Sequence, residues 1–126
     1  MKKVINTDAA PAAIGTYSQA IVHGDTLYTS GQIPIDPATG EMLPADFVAQ
    51  AHQVFKNLAA LAAAAGTELQ QAIKLNVFLQ DLENFADLNQ IMGEHICEPY
   101  PARAAIQVAR LPKDSLIEID AIIALK

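Results

Sequence analysis

Arg103 and Glu118 are the residues whose types and spacing most directly imply chemistry. Arg103 belongs to Tyr100-Pro101-Ala102-Arg103, and Glu118 interrupts an apolar run in Leu116-Ile117-Glu118-Ile119. An arginine is a permanently charged planar fork that matches a carboxylate with two parallel hydrogen bonds. A glutamate beside a bound molecule can take up a proton or position a water. Ala104 to Leu111 reads as a strand, which puts Arg103 at its start. Both charges then sit on rigid elements and can face one small substrate. The residues alone leave a second reading open, in which Arg103 and Glu118 pair with each other as a structural ion pair.

The elements that must position these groups follow from periodicity and turn chemistry. Lys3 to Asn6 reads as a short strand, and Ala9 to Gly15 as a loop because of Pro11 and Gly15. Tyr17 to His23 alternates weakly and reads as a strand. Gly24-Asp25 marks a tight turn, and Thr26 to Ser30 is the returning strand of a hairpin, ended by Gly31. Asp36-Pro37-Ala38-Thr39-Gly40 is a turn. From Asp46 to Ala65, apolar residues including Phe47, Ala51, Val54, Phe55, Leu58, Leu61 and Ala62 recur at helical spacing, with Gly66 as the stop. Ile73, Leu75, Val77 and Leu79 share one face of a strand. Asp81 to Ile96 reads as a second helix, broken off by Pro99 and Pro101. Ala104 to Ala109 and Leu116 to Leu125 are the last two strands. This order predicts an α+β fold: one mixed β-sheet with two helices packed on one face, a single domain over residues 1–126. In the last strand neither face is uniformly polar. The face without helices therefore calls for another subunit, in closed cyclic symmetry.

Bulk properties narrow the function classes. The chain has 126 residues, 52% of them hydrophobic, and a formal net charge of -6, which disfavours nucleic acid, whose binding rests largely on neutralising phosphates. Cys97 is the one cysteine and has no partner for a disulfide or a zinc site, so a reducing, cytoplasmic setting fits. Met1-Lys2-Lys3 is followed by no apolar segment of a signal peptide, and no run approaches a membrane span. His23, His52 and His95 are far apart, lack metal-ligand spacing and read as surface or turn residues. No phosphate-cradling Gly-Lys-Ser/Thr loop occurs, and Ser18, Ser30 and Ser115 lack a nucleophile-elbow context.

Longer motifs carry a resemblance. The run Pro101-Ala102-Arg103-Ala104-Ala105-Ile106-Gln107-Val108-Ala109-Arg110-Leu111-Pro112-Lys113, then Ile117-Glu118-Ile119-Asp120-Ala121, resembles the C-terminal signature of the RidA/YjgF family of imine deaminases. Ala9 to Ala20, with Gly15-Thr16-Tyr17-Ser18-Gln19, and Thr29-Ser30-Gly31-Gln32-Ile33-Pro34 resemble its N-terminal motifs, so the likeness spans essentially the whole chain.

The resemblance implies a chorismate mutase-like homotrimer with three clefts between neighbours. It implies that Arg103 holds the substrate carboxylate and Glu118 positions the hydrolytic water. Tyr17, Ser30, Gly31 and Asn89 would line the cleft. The reaction implied is hydrolysis of 2-imino or enamine acids such as 2-iminobutanoate and 2-iminopropanoate to 2-keto acids and ammonia, protecting pyridoxal-phosphate enzymes from reactive imines. It requires neither metal nor cofactor. Each residue also has a plainer reading: Tyr17 as an interface or core tyrosine, Gly31 as a bulge glycine, Asn89 as a helix-surface residue, Glu118 as a solvated strand glutamate. The chain departs from the family pattern at Ala105, where cysteine is usual, at Thr16 for proline, at Ala104 for serine, and in a shorter Gly93–Tyr100 loop. Two other function classes remain: a ribonuclease or translation inhibitor, and a non-catalytic module that binds keto acids in the same cleft.

Overall fold

Eight strands, two α-helices and three short 3₁₀ turns make up the regular structure of a computed structural model that describes all residues, Met1–Lys126. The strands are β1 (Lys3–Ile5), β2 (Ala20–His23), β3 (Thr26–Thr29), β4 (Ile35–Asp36), β5 (Glu41–Met42), β6 (Ala72–Leu79), β7 (Ala102–Gln107) and β8 (Ile117–Ala124). The helices are α1 (Phe47–Ala64) and α2 (Phe85–His95). Six strands form one mixed sheet in the order β1-β2-β3-β8-β6-β7, antiparallel except for β6 and β7. A parallel pair needs a crossover, and α2 supplies it. The fold is α+β, as the order of elements predicts.

Local chemistry explains the borders. Asp46 caps α1, its Oδ1 accepting from the Ala49 N–H at 3.3 Å. Gly66 ends the helix at φ +82°, a conformation that favours glycine. The core lies between the helices and one sheet face. Ile117, Ile119, Ala121 and Ile123 alternate into it from β8 and meet Val54, Phe55, Leu58 and Leu88 from the helices. On the opposite face Val4, Tyr28 and Ile106 stay exposed.

Several borders differ from expectation. The strand expected from Tyr17 begins only at Ala20, because Tyr17 and Ser18 belong to a bent segment that leaves the ladder. Ile73 does not join Leu75, Val77 and Leu79 inside; a bulge between Ala72 and Lys74 turns it out. The second helix starts with a 3₁₀ turn over Leu82–Asn84 and becomes α-helical only at Phe85. Gly93 lies within α2, so the following loop is shorter than Gly93–Tyr100. β7 begins at Ala102, directly after Pro101, so Arg103 is inside the strand. The hairpin of β4 and β5 around the Asp36–Gly40 turn is too short to show in periodicity. His52 and His95, read as separate surface residues, meet between α1 and α2, with Nδ1 and Nε2 2.8 Å apart and His95 stacked on Phe55. Burial first, and the neighbouring imidazole second, lower the His95 pKa.

Three buried amides tie loops to the core. Gln50 donates to the Leu43 and Pro44 carbonyls and accepts from the Leu116 N–H at 2.8 Å. Asn57 donates to the Ile33 and Ile35 carbonyls. Gln19 binds the Thr7–Pro11 segment. By contrast Ser115 is fully buried and its hydroxyl has no partner within the chain. An unmet buried hydroxyl costs about 1–3 kcal/mol. Ser115→Ala is therefore expected to raise stability by ~1 kcal/mol, a gain of about 3–5 °C in Tm for a domain of this size, read by thermal unfolding.

Candidate functional site

Arg103 projects from β7 on the helix-facing side, opposite Leu75 of β6 and toward α2. Phe85, Asn89 and Met92 lie on the α2 face that receives it. Arg103 Nη1 donates to Asn89 Oδ1 at 2.7 Å and approaches the Met92 sulfur at 3.6 Å. The guanidinium carbon sits 5.1 Å from the centre of the Phe85 ring. These contacts hold one corner of the fork. Nε and Nη2 have no partner, so the edge that binds a carboxylate bidentately is free. The fork lines a cavity of about 490 Å³ with Asn89, Met92, Gly93, Tyr100 and Pro101.

Tyr17, Ser30, Gly31 and Glu118 share a different cavity, of about 460 Å³. A local irregularity creates it. The β3–β8 ladder stops at Tyr28 and Ile122 and resumes as an exchange of two backbone hydrogen bonds between Gln32 and Ile119. The extra residue on the β3 side makes a bulge. Thr29 Oγ1 accepts the Ala121 N–H that the bulge leaves over, at 3.0 Å. Ser30 Oγ donates to the Ser18 carbonyl at 2.6 Å, so toward a ligand this hydroxyl can only accept. The Gly31 N–H has no partner. Tyr17 is half exposed, its hydroxyl oxygen accepting from the Ile14 N–H at 3.3 Å.

Glu118 lies on the sheet face opposite to Arg103, in line with Phe78 of β6. Its carboxyl pKa is raised above the usual carboxylate range, mainly by burial and secondarily by Asp120. No hydrogen bond offsets that burial. A β-carbon on Gly31 would overlap the Glu118 carboxylate. Gly31→Ala is therefore expected to push that flexible carboxylate aside. Activity should drop at least ~10-fold, since a displacement of about 1 Å can cost more than that. Gly31 is exposed, so Tm should move by less than ~2 °C. Steady-state kinetics beside thermal unfolding check both halves.

The sequence-derived residues thus fall into two groups, Arg103 with Asn89, and Glu118 with Tyr17, Ser30 and Gly31. The cavities share no residue, and β6 separates β7 from β8. The pairing of Arg103 with Glu118 does not form; the chain's ion pair is Arg110–Asp114 at 2.8 Å. Phe85, Met92 and Tyr100 were not among the expected site residues. Phe85, Asn89 and Met92 do recur at i, i+4 and i+7, a signal of one helix face that includes a polar residue.

Comparison with known proteins agrees with this architecture. The chain is 46% identical over 122 residues to the 2-iminobutanoate/2-iminopropanoate deaminase of Rattus norvegicus, covering 97% of this chain and 89% of that one. The crystal structure of RidA from an Antarctic Psychrobacter superposes with a TM-score of 0.94 at 52% identity, over 97% of this chain and 98% of that one. Escherichia coli TdcF, solved with bound serine, gives a TM-score of 0.90 at 45% identity, over 97% and 98% of the two chains. The family model described as Endoribonuclease L-PSP matches residues 7–125. With that match across nearly its whole length, the chain belongs to this family, the RidA/YjgF proteins.

Proposed function

We propose that the protein is an enzyme that hydrolyses 2-imino acids, or their enamine tautomers, to 2-keto acids and ammonia. The observation that carries this reading is the half-occupied Arg103 fork, with one corner fixed by Asn89 and the bidentate edge open. The relative named as a 2-iminobutanoate/2-iminopropanoate deaminase supports the reaction class. Arg103 and Glu118 point to opposite faces of the sheet. One small molecule touches both only where Arg103 of one copy meets Glu118 of another. A homotrimer with clefts between neighbours meets that requirement, and its closed symmetry makes the three clefts equivalent.

In such a cleft the substrate carboxylate pairs with Nε and Nη2 of Arg103. Glu118 takes a proton from a water as its oxygen bonds to the imine carbon. The imine π electrons move to nitrogen, which takes the proton back from Glu118. The carbinolamine then collapses: its hydroxyl proton passes to nitrogen by way of Glu118, the C–N bond breaks with its electron pair leaving on ammonia, and the hydroxyl oxygen's electrons form the C=O bond. Imines of this kind hydrolyse in water unaided, so orientation and modest charge stabilisation suffice. The unpartnered Gly31 N–H is a donor for oxygen on the substrate or intermediate.

TdcF with bound serine favours one second reading, a module that binds a small carboxylate without turning it over. Turnover separates the two. Ammonia and keto-acid release is measured while a dehydratase generates 2-iminobutanoate or 2-iminopropanoate in situ. Acceleration above the spontaneous rate is expected. No acceleration by the folded oligomer would sink the enzymatic reading for these substrates.

A further inference from the structure

The Glu118 cavity has one wall without regular structure, the segment from Thr7 to Ile14, which contributes Pro11, Ala12 and Ile14. No strand or helix pairing fastens this segment. Every hydrogen bond that joins it to a residue more than three positions away ends on the side chain of Gln19. Oε1 accepts from the Thr7 N–H at 2.7 Å. Nε2 donates to the carbonyls of Thr7 at 2.9 Å, Ala10 at 3.2 Å and Pro11 at 2.8 Å. Gln19 is 3% exposed; its bond to Ala10 is buried and the other three are partly shielded from competing water. Only a group that both donates and accepts can hold this set, and an amide of glutamine length does. The Gln19 backbone is anchored in turn, its carbonyl accepting from the Ser30 N–H at 2.9 Å. The same residue therefore links the bulge beside Gly31 to the wall across the cavity.

We propose that Gln19 is a positioning residue of the Glu118 cavity: it holds Thr7–Ile14 as a wall that confines the substrate's side chain, and it acts through Pro11, Ala12 and Ile14. The inference deepens the imine-hydrolase reading and rests on it for its kinetic part. The wall is apolar where it meets the cavity, so it suits an aliphatic side chain. It carries neither Arg103 nor Glu118. Releasing it removes binding shared by ground and transition states, which raises KM and leaves kcat nearly unchanged.

The test is Gln19→Glu in the full oligomeric protein. The carboxylate still accepts from the Thr7 N–H, but it cannot donate and it repels three carbonyls. KM for 2-iminobutanoate should rise about tenfold with kcat within about twofold, because a uniform binding contribution has been lost. Amide hydrogen exchange should accelerate at Thr7, Ala9 and Ile14, the hydrogen-bonded amides of the segment, while the strands keep their protection. A lower Tm with exchange raised throughout and KM unchanged would mean that Gln19 serves only the fold, and would overturn the proposal. Ile14→Ala provides a second route if Gln19→Glu does not fold. Ile14 is 72% exposed, so folding is spared, and KM should move in the same direction. An unchanged KM there overturns the wall's role. Absent turnover by the unaltered protein counts against the hydrolase reading instead. The exchange experiment then still decides the wall: unchanged exchange from Thr7 to Ile14 in Gln19→Glu rejects Gln19 as its anchor.

Discussion

Arg103→Ala is expected to lower kcat/KM for 2-iminobutanoate by about 10²–10³-fold, the usual consequence of deleting one partner of a bidentate charge pair. The loss belongs to chemistry and not to folding. The guanidinium touches Asn89, Met92 and Phe85 at a cavity wall and makes no ion pair within the chain. Tm should change by less than ~2 °C. Arg103→Lys should recover little, because a lysine has no planar fork and cannot hold Asn89 and a carboxylate edge together. The same variant tests where the site lies. Arg103→Ala and Glu118→Gln should each be nearly inactive alone. Co-expressed and assembled at random, they should regain about a quarter of the intact sites if, as proposed, each cleft draws its arginine from one copy and its glutamate from the next. Purified mixed oligomers with no recovered activity would place both groups' roles within one chain, against the opposite-face geometry.

Much of the fold was legible because its elements have clean periods. The alternation of Ile117, Ile119, Ala121 and Ile123 survives intact in β8, and the apolar spacing of α1 predicts its ends to within a residue. What escaped depends on partners distant in sequence. Ile73 fits the apolar face by its own alternation, but a bulge against β8 turns it outward. His52 and His95 meet only because α1 packs on α2. A single chain position carries no record of such a contact.

The candidate site shows the same division. Arg103 and Glu118 stood out as charges in apolar strands, and the motifs around Tyr17, Ser30 and Gly31 marked the neighbourhood of Glu118. Their separation was not legible, because it follows from strand order. β6 enters between β7 and β8, and the pleat sends Arg103 to one face and Glu118 to the other. Gln19 was visible in its motif without a role, since a buried amide reveals its partners only once the arm has folded back.

Glu118→Gln is expected to abolish most catalysis, by about 10²–10⁴-fold, while making the fold more stable at neutral pH. The two effects have one cause. Burial raises the Glu118 pKa above its ordinary value of 4.5, so the folded chain favours the protonated carboxyl more than the unfolded chain does. The sign follows by linkage: the contribution to stability is fully present below about pH 4.5 and is lost as pH rises through the higher folded value. At pH 7 the ionised carboxylate is a cost that glutamine, of nearly the same shape, does not carry. Because the side chain is only half buried, solvent screens much of that cost, and the gain in Tm should be a modest ~2–4 °C. It should vanish near pH 4, where wild type and variant are both neutral at this position. If the Glu118 carboxylate accepts water's proton as proposed, the wild-type rate should fall on acidification with a limb displaced above pH 4.5. Loss of activity through misfolding would bring a lower Tm. Loss with a higher Tm at pH 7, shrinking toward pH 4, is the outcome expected from removing a half-buried charge whose burial is not offset.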